Sequence, residues 1–190
     1  MNENTTRIID AECSLQKVLA EALGLPEYEY ILKNVSKTDV SKDEKFQKKY
    51  NHFYRVRRDQ TWREKYYQIL ERNKSKEEVT FENILCNIYI STDMTEASFA
   101  SKMLATLNPD KPIWDSRVLK FLGLKPVGKS DSDRQDSIIE IYGKIEGWYK
   151  EYLKTAEAKE NIRIFDEMLP GYSWLSDTKK IDYIIWGQNI

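Results

Sequence analysis

The sequence predicts an all-α protein of roughly nine to ten short helices, and three observations carry that expectation. Apolar residues recur at three- and four-residue spacing along nearly the whole chain. No segment alternates convincingly between apolar and polar residues as a half-buried strand would. Cap-forming residues stand just ahead of most periodic runs, with Gly, Pro or Asn after several of them.

Taken in order, 14–24 (SLQKVLAEALG) places Leu15, Val18, Leu19, Ala22 and Leu23 on one face, with Ser14 as cap and Gly24 as stop. Pro26 opens a short helix through EYEYILK. SKDEKFQKKYNHFYRVRR aligns Phe46, Tyr50, Phe53 and Tyr54. TWREKYYQILERN aligns Trp62, Tyr66, Ile69 and Leu70. Thr80 caps a helix carrying Phe81, Ile84, Leu85, Ile88 and Tyr89. Thr95 caps one carrying Phe99, Ala100, Met103, Leu104 and Leu107, whose small residues permit close approach of a neighbour. Asn108-Pro109 ends that helix, because the residue before a proline is driven out of helical geometry. Asp115 starts the next short helix and Gly123 stops it. After the loop KPVGKSDSD, Asp131 or Asp133 caps a long helix bearing Ile138, Tyr142, Ile145 and Tyr149. A helix over AEAKENIRIFDEML, the turn PGYSW and a last helix capped by Ser176 complete the chain.

Composition narrows the function classes. The 190 residues are 41% hydrophobic and 32% charged, which suits one globular domain rather than a disordered chain. That domain, 1–190, divides into two expected lobes, one from 1–40 plus 131–190 and the other from 41–130. The net charge of −1 excludes a globally basic nucleic-acid binder but not a local basic patch. Seven glycines supply no phosphate loop. Cys13 and Cys86 form no C-x-x-C pair, so a reduced, cytoplasmic setting is expected. No signal segment or membrane span is expected, and the metal motifs are missing, so no metal and no cofactor is expected.

Four constellations bear on chemistry. In 111–123 (KPIWDSRVLKFLG), Asp115 is a natural helix cap, yet a capping carboxylate keeps acceptor capacity for a ligand. From Lys45 to Lys65 there are eight Lys/Arg against two acids, interleaved with Tyr, Phe and Trp. Arg55, Arg57 and Arg58 are the phosphate candidates there, and the rings are either stacking platforms or core. His52, the single histidine, is expected in polar packing rather than as a base. Asp182, beside Lys179 and Lys180, is expected in a salt bridge.

The run EASFASKMLATLNPDKPIWDSRVLKFLGL resembles the core of the helix-hairpin-helix DNA glycosylase superfamily, through Ile113, Asp115, Val118, Gly123 and Leu124. About thirty residues carry the resemblance. It implies a glycosylase-like two-lobed fold, DNA as partner, and Asp115 as the catalytic carboxylate of monofunctional N-glycosidic hydrolysis. Trp114 would then wall the base pocket, and Arg117 and Lys102 would contact phosphate. The chain departs from the family at its glycine-rich hairpin, where it reads STDMTEAS, with Asp93 and Glu96 and no glycine. It also lacks a lysine about eighteen residues before Asp115, which speaks against a Schiff-base lyase. The same run is similar to bacterial proteins with no assigned activity. The competing expectation is a non-catalytic helical interaction module with a protein partner.

Overall fold

A computed structural model describes residues 9–20, 24–128 and 131–188. Among them are ten α-helices and no strand: α1 (Ala11–Ala20), α2 (Leu25–Asn34), α3 (Glu44–Phe53), α4 (Gln60–Asn73), α5 (Phe81–Thr92), α6 (Ala97–Leu107), α7 (Ser116–Leu122), α8 (Asp131–Tyr152), α9 (Ala156–Met168) and α10 (Asp177–Gln188). A single 3₁₀ turn, Pro170–Tyr172, links α9 to α10. No described helix is long and apolar enough to cross a membrane.

Local chemistry sets most boundaries. The side chains of Asp43, Asp59, Thr80, Asp115 and Thr155 each accept from a backbone N–H of the first turn of α3, α4, α5, α7 and α9. Ser176 does the same for α10, accepting from Lys179 N at 3.2 Å. Two expected caps differ. The cap of α1 is Asp10, whose Oδ1 accepts from Cys13 N at 3.0 Å, so Ser14 lies inside the helix and is buried. Helix α6 has Glu96 rather than Thr95 at its N-cap position, with no side-chain cap bond, because Glu96 is drawn off to Arg58. Asp133 lies within α8, and the cap residues of that helix fall outside the described residues, as do Ala22 and Leu23. Gly24 takes φ +56°, a left-handed conformation that serves as the start of α2.

One hydrophobic cluster takes in residues from α1 through α10. One aromatic group within it is Phe46, Tyr50, Tyr54, Trp62, Tyr66 and Tyr67, joined by ring contacts and by a 2.8 Å Tyr50–Tyr66 hydroxyl bond. The rings of the basic 45–65 stretch, Phe53 apart, are therefore core and not platforms for bases. Helix α10 packs against α1, α7 and α9 and is buried along most of its length. The contact with α1 is tight at Gly187, where an added Cβ would stand 2.2 Å from Ser14 O and 2.8 Å from Val18 Cγ2.

Alanine in place of glycine inside a helix ordinarily gains up to about 1 kcal/mol. At Gly187 the backbone of α1 blocks that gain. Gly187→Ala is expected to destabilise the fold by about 1–3 kcal/mol in urea unfolding, the usual cost of overpacking.

Candidate functional site

The linker between α6 and α7 positions Asp115, and it is pinned at several points. Ser176 Oγ donates to Pro109 O at 2.6 Å, and Tyr142 OH donates to Pro112 O at 2.9 Å. Trp114 N donates to Ser101 Oγ at 2.8 Å, a bond made possible by the small residue on α6. Lys111 Nζ pairs with Glu146 at 2.8 Å. Asp115 then enters α7 with Oδ1 accepting from Arg117 N at 2.8 Å. That bond uses one of about four acceptor sites on a carboxylate.

Asp115 lines a cleft of about 480 Å³ that also takes Arg55, Lys102, Arg117, Lys179, Asp182 and Trp186. Its walls come from the α3–α4 linker, α6, the start of α7 and one face of α10. Volumes of about 300–1,000 Å³ are typical of small-molecule sites. Four cations (Arg55, Lys102, Arg117, Lys179) face two carboxylates (Asp115, Asp182). The cleft is thus locally basic in a chain of net charge −1.

Each cation is held differently. Arg117 Nη1 donates to Trp186 O at 2.9 Å, and its guanidinium lies 3.6 Å from the centre of the Trp186 ring. Arg55, at φ +53°, reaches the same ring at 5.3 Å and remains exposed. Lys102 is half-buried; its Nζ donates to Tyr54 O at 3.1 Å and lies 5.1 Å from the Phe99 ring. Burial lowers its pKa to about 8, against the attraction of Asp115 and with the help of Lys179 and Arg55. An appreciable share of the amine is neutral near physiological pH.

Lys179 and Asp182 form the deeper part of the cleft. Both are 7% exposed. The ammonium of Lys179 sits among rings, 4.7 Å from Tyr28, 5.0 Å from Tyr183 and 5.5 Å from Phe53. Burial lowers its pKa, partly offset by Asp182 and Asp115. Asp182 Oδ1 accepts from Tyr149 OH. Burial raises the Asp182 carboxyl to about 6, against Lys179 and Tyr149, and Asp115 raises it further.

The residues singled out from sequence divide accordingly. Asp115, Arg117, Lys102 and Arg55 share the cleft. Trp114 does not line it: the ring is buried and stacks toward Phe81 at 6.5 Å, because its backbone bond to Ser101 turns the side chain into the core. The indole at the cleft is Trp186. Arg57 is exposed and outside the cleft. Arg58 pairs with Glu96 and lies over Trp62 and Phe99, so it braces the α5–α6 loop. Burial raises Glu96 and Arg58 opposes that shift. His52 is exposed at the cleft mouth. Asp182 makes no salt bridge among the described residues; it bonds to a tyrosine instead. Sequence reasoning missed Trp186 and took Lys179 only as a neighbour of Asp182, although Lys179, Asp182, Tyr183 and Trp186 follow i, i+3, i+4, i+7 spacing on an apolar helix. No group of three or more metal-ligating side chains occurs among the described residues.

No protein-family model, curated protein or solved structure matches this chain.

The two carboxylates are electrostatically linked, and the link is measurable. By carboxyl ¹³C NMR, Asp115→Asn is expected to lower the Asp182 midpoint from about 6 by removing a like charge. Lys179→Met is expected to raise it. The raised Asp182 carboxyl contributes stability below its unfolded pKa near 4, and this is lost as pH rises through about 6. Relative to Asp182→Asn, the wild type is therefore expected to lose stability between pH 4 and 7.

Proposed function

We propose that the protein recognises nucleic acid at this cleft and hydrolyses the N-glycosidic bond of an extruded nucleotide. The observation that carries this reading is the Asp115 carboxylate, fixed by a backbone bond at the edge of a cleft whose other charges are mostly cationic. The resemblance of the 96–124 run to helix-hairpin-helix glycosylases supports it, as does the coincidence of four expected site residues in one cleft.

The chemistry follows from charge. As the C1′–N bond breaks, positive charge develops on the sugar, and a fixed carboxylate stabilises it. Water adds its oxygen to C1′ and gives one proton to Asp115; the base departs with the electron pair of the broken C1′–N bond and takes up a proton from solvent, to which Asp115 returns its own. Arg55 and Lys102 take the flanking phosphates in this reading, because cations neutralise backbone charge whatever the base sequence. Trp186 and Phe53 offer faces to a base, which an enzyme acting on it must first extrude from the stack. The α5–α6 loop carries no glycine-rich amide cradle, so the cationic cleft replaces it in this reading. Glu96 there is paired with Arg58, which limits its repulsion of phosphate.

A second reading rests on Lys102. An amine with a pKa of about 8 that shares a cleft with a carboxylate is a competent nucleophile toward an aldehyde. The ring-opened sugar of an abasic site presents one, and an imine would form with loss of water. The lysine thirteen residues before Asp115 would then serve where the expected position, five residues earlier, holds none.

One experiment addresses both. Anisotropy with an intact duplex and one bearing a tetrahydrofuran abasic analogue is expected to show preference for the latter, with affinity falling steeply as salt rises. On a duplex with a natural abasic site, borohydride is expected to trap a covalent adduct that rises with pH through about 8 and is lost in Lys102→Met. Trapping without such loss removes the second reading. No binding at low salt removes both and leaves the helical interaction module.

A further inference from the structure

The deepest polar groups of the cleft are not used by the reading above. Asp182 and Lys179 lie three residues apart on one face of α10. Asp182 Oδ1 accepts from Tyr149 OH and the backbone N–H of Ile113 also acts on the carboxylate, while Oδ2 is buried without a well-formed hydrogen bond. Lys179 is equally buried, and among the described residues its ammonium touches aromatic rings rather than a carboxylate. Both residues line one cavity, and no hydrogen bond or ion pair joins them. Leaving buried polar groups unmet is costly, and such groups are retained where a ligand completes them.

We propose that Lys179 and Asp182 read the group that enters the cleft, and that this group is neutral and planar, with a hydrogen-bond acceptor beside an N–H donor. The proposal rests on the nucleic-acid reading, in which that group is the edge of an extruded nucleobase. Neutrality follows from the pair itself. An anion would meet the Asp182 carboxylate and a cation would meet the Lys179 ammonium. An amide-type edge offers its carbonyl oxygen to Lys179 and its N–H to Asp182 Oδ2. Planarity follows from the rings of Phe53, Tyr183 and Trp186, which line the same space. Tyr149 has a structural part: its hydroxyl holds Oδ1 and leaves Oδ2 as the second acceptor of a residue that lines the cleft.

9-Methylhypoxanthine and 9-methylpurine, hypoxanthine and purine below, test this by ligand-observed NMR, since the methyl group removes the N9–H that would pair with N3 on either ring. They share a ring system, but only hypoxanthine carries the carbonyl acceptor beside an N–H. The wild type is expected to bind hypoxanthine at least tenfold more tightly than purine. Lys179→Met removes the donor. In Asp182→Asn, Tyr149 holds the amide carbonyl, so the NH₂ group faces the cleft and opposes a ligand N–H. Each variant is expected to reduce the preference below threefold. Equal affinity for the two bases in the wild type, or no affinity for either, overturns the proposal without any variant. So does an undiminished preference in both variants. The same samples titrated with the abasic-analogue duplex separate this failure from that of the nucleic-acid reading. Duplex binding without base preference removes the Lys179–Asp182 pair alone. Base preference without duplex binding removes the DNA reading and leaves the pair as a free-base site.

Discussion

Helix α10 must bury charge. It packs between α1, α7 and α9, and Lys179, Lys180 and Asp182 are all at most 7% exposed. Moving an ion from water into protein costs several kcal/mol unless partners compensate. Lys180 meets that demand with Asp166 at 2.8 Å. Lys179 and Asp182 do not, and they face the cleft instead. The tight seat of Gly187 on α1 fixes the helix that carries them. The position of Asp115 depends on the same helix, since Ser176 at its start ties down the linker that leads to α7.

The cleft follows from that arrangement. Aromatic side chains from α2, α10 and the end of α3 surround Lys179, so its charge is softened by ring faces rather than cancelled by a carboxylate. The low polarity that results reaches Lys102 and lowers its pKa, and it raises that of Asp182. Asp115 works against the first shift and adds to the second. A change at Asp115 is therefore felt at Lys102, Lys179 and Asp182.

Much of the fold was legible because helix boundaries are local events. Asp115, Thr80 and Ser176 cap where they were expected, and the 3.6-residue pattern identifies the buried faces of α4, α5 and α6. The failures have tertiary causes. Thr95 loses its cap role because Glu96, next to it, is captured by Arg58 from another helix. Ser14 yields to Asp10 because the helix starts one turn earlier. Leu19, placed on the core face by spacing, is 44% exposed. The site was half legible. Asp115 could be found from its motif, but Trp114 and Trp186 are equivalent as letters, and only the Ser101 bond shows which one turns inward. Asp182 was read as a salt-bridge partner because its neighbours are lysines; that it is buried and bonded to Tyr149 of α8 is a tertiary fact its local sequence does not carry.

The central claim is that this cleft, and no other surface, receives the ligand. The five tryptophans provide one indole N–H reporter each, and only Trp186 lines the cleft. A ¹H–¹⁵N spectrum titrated with the abasic-analogue duplex tests the claim directly. The Trp186 indole resonance is expected to shift saturably while those of the core residues Trp62 and Trp114 stay in place. A saturating response confined to the exposed Trp174, with Trp186 unmoved, would contradict it.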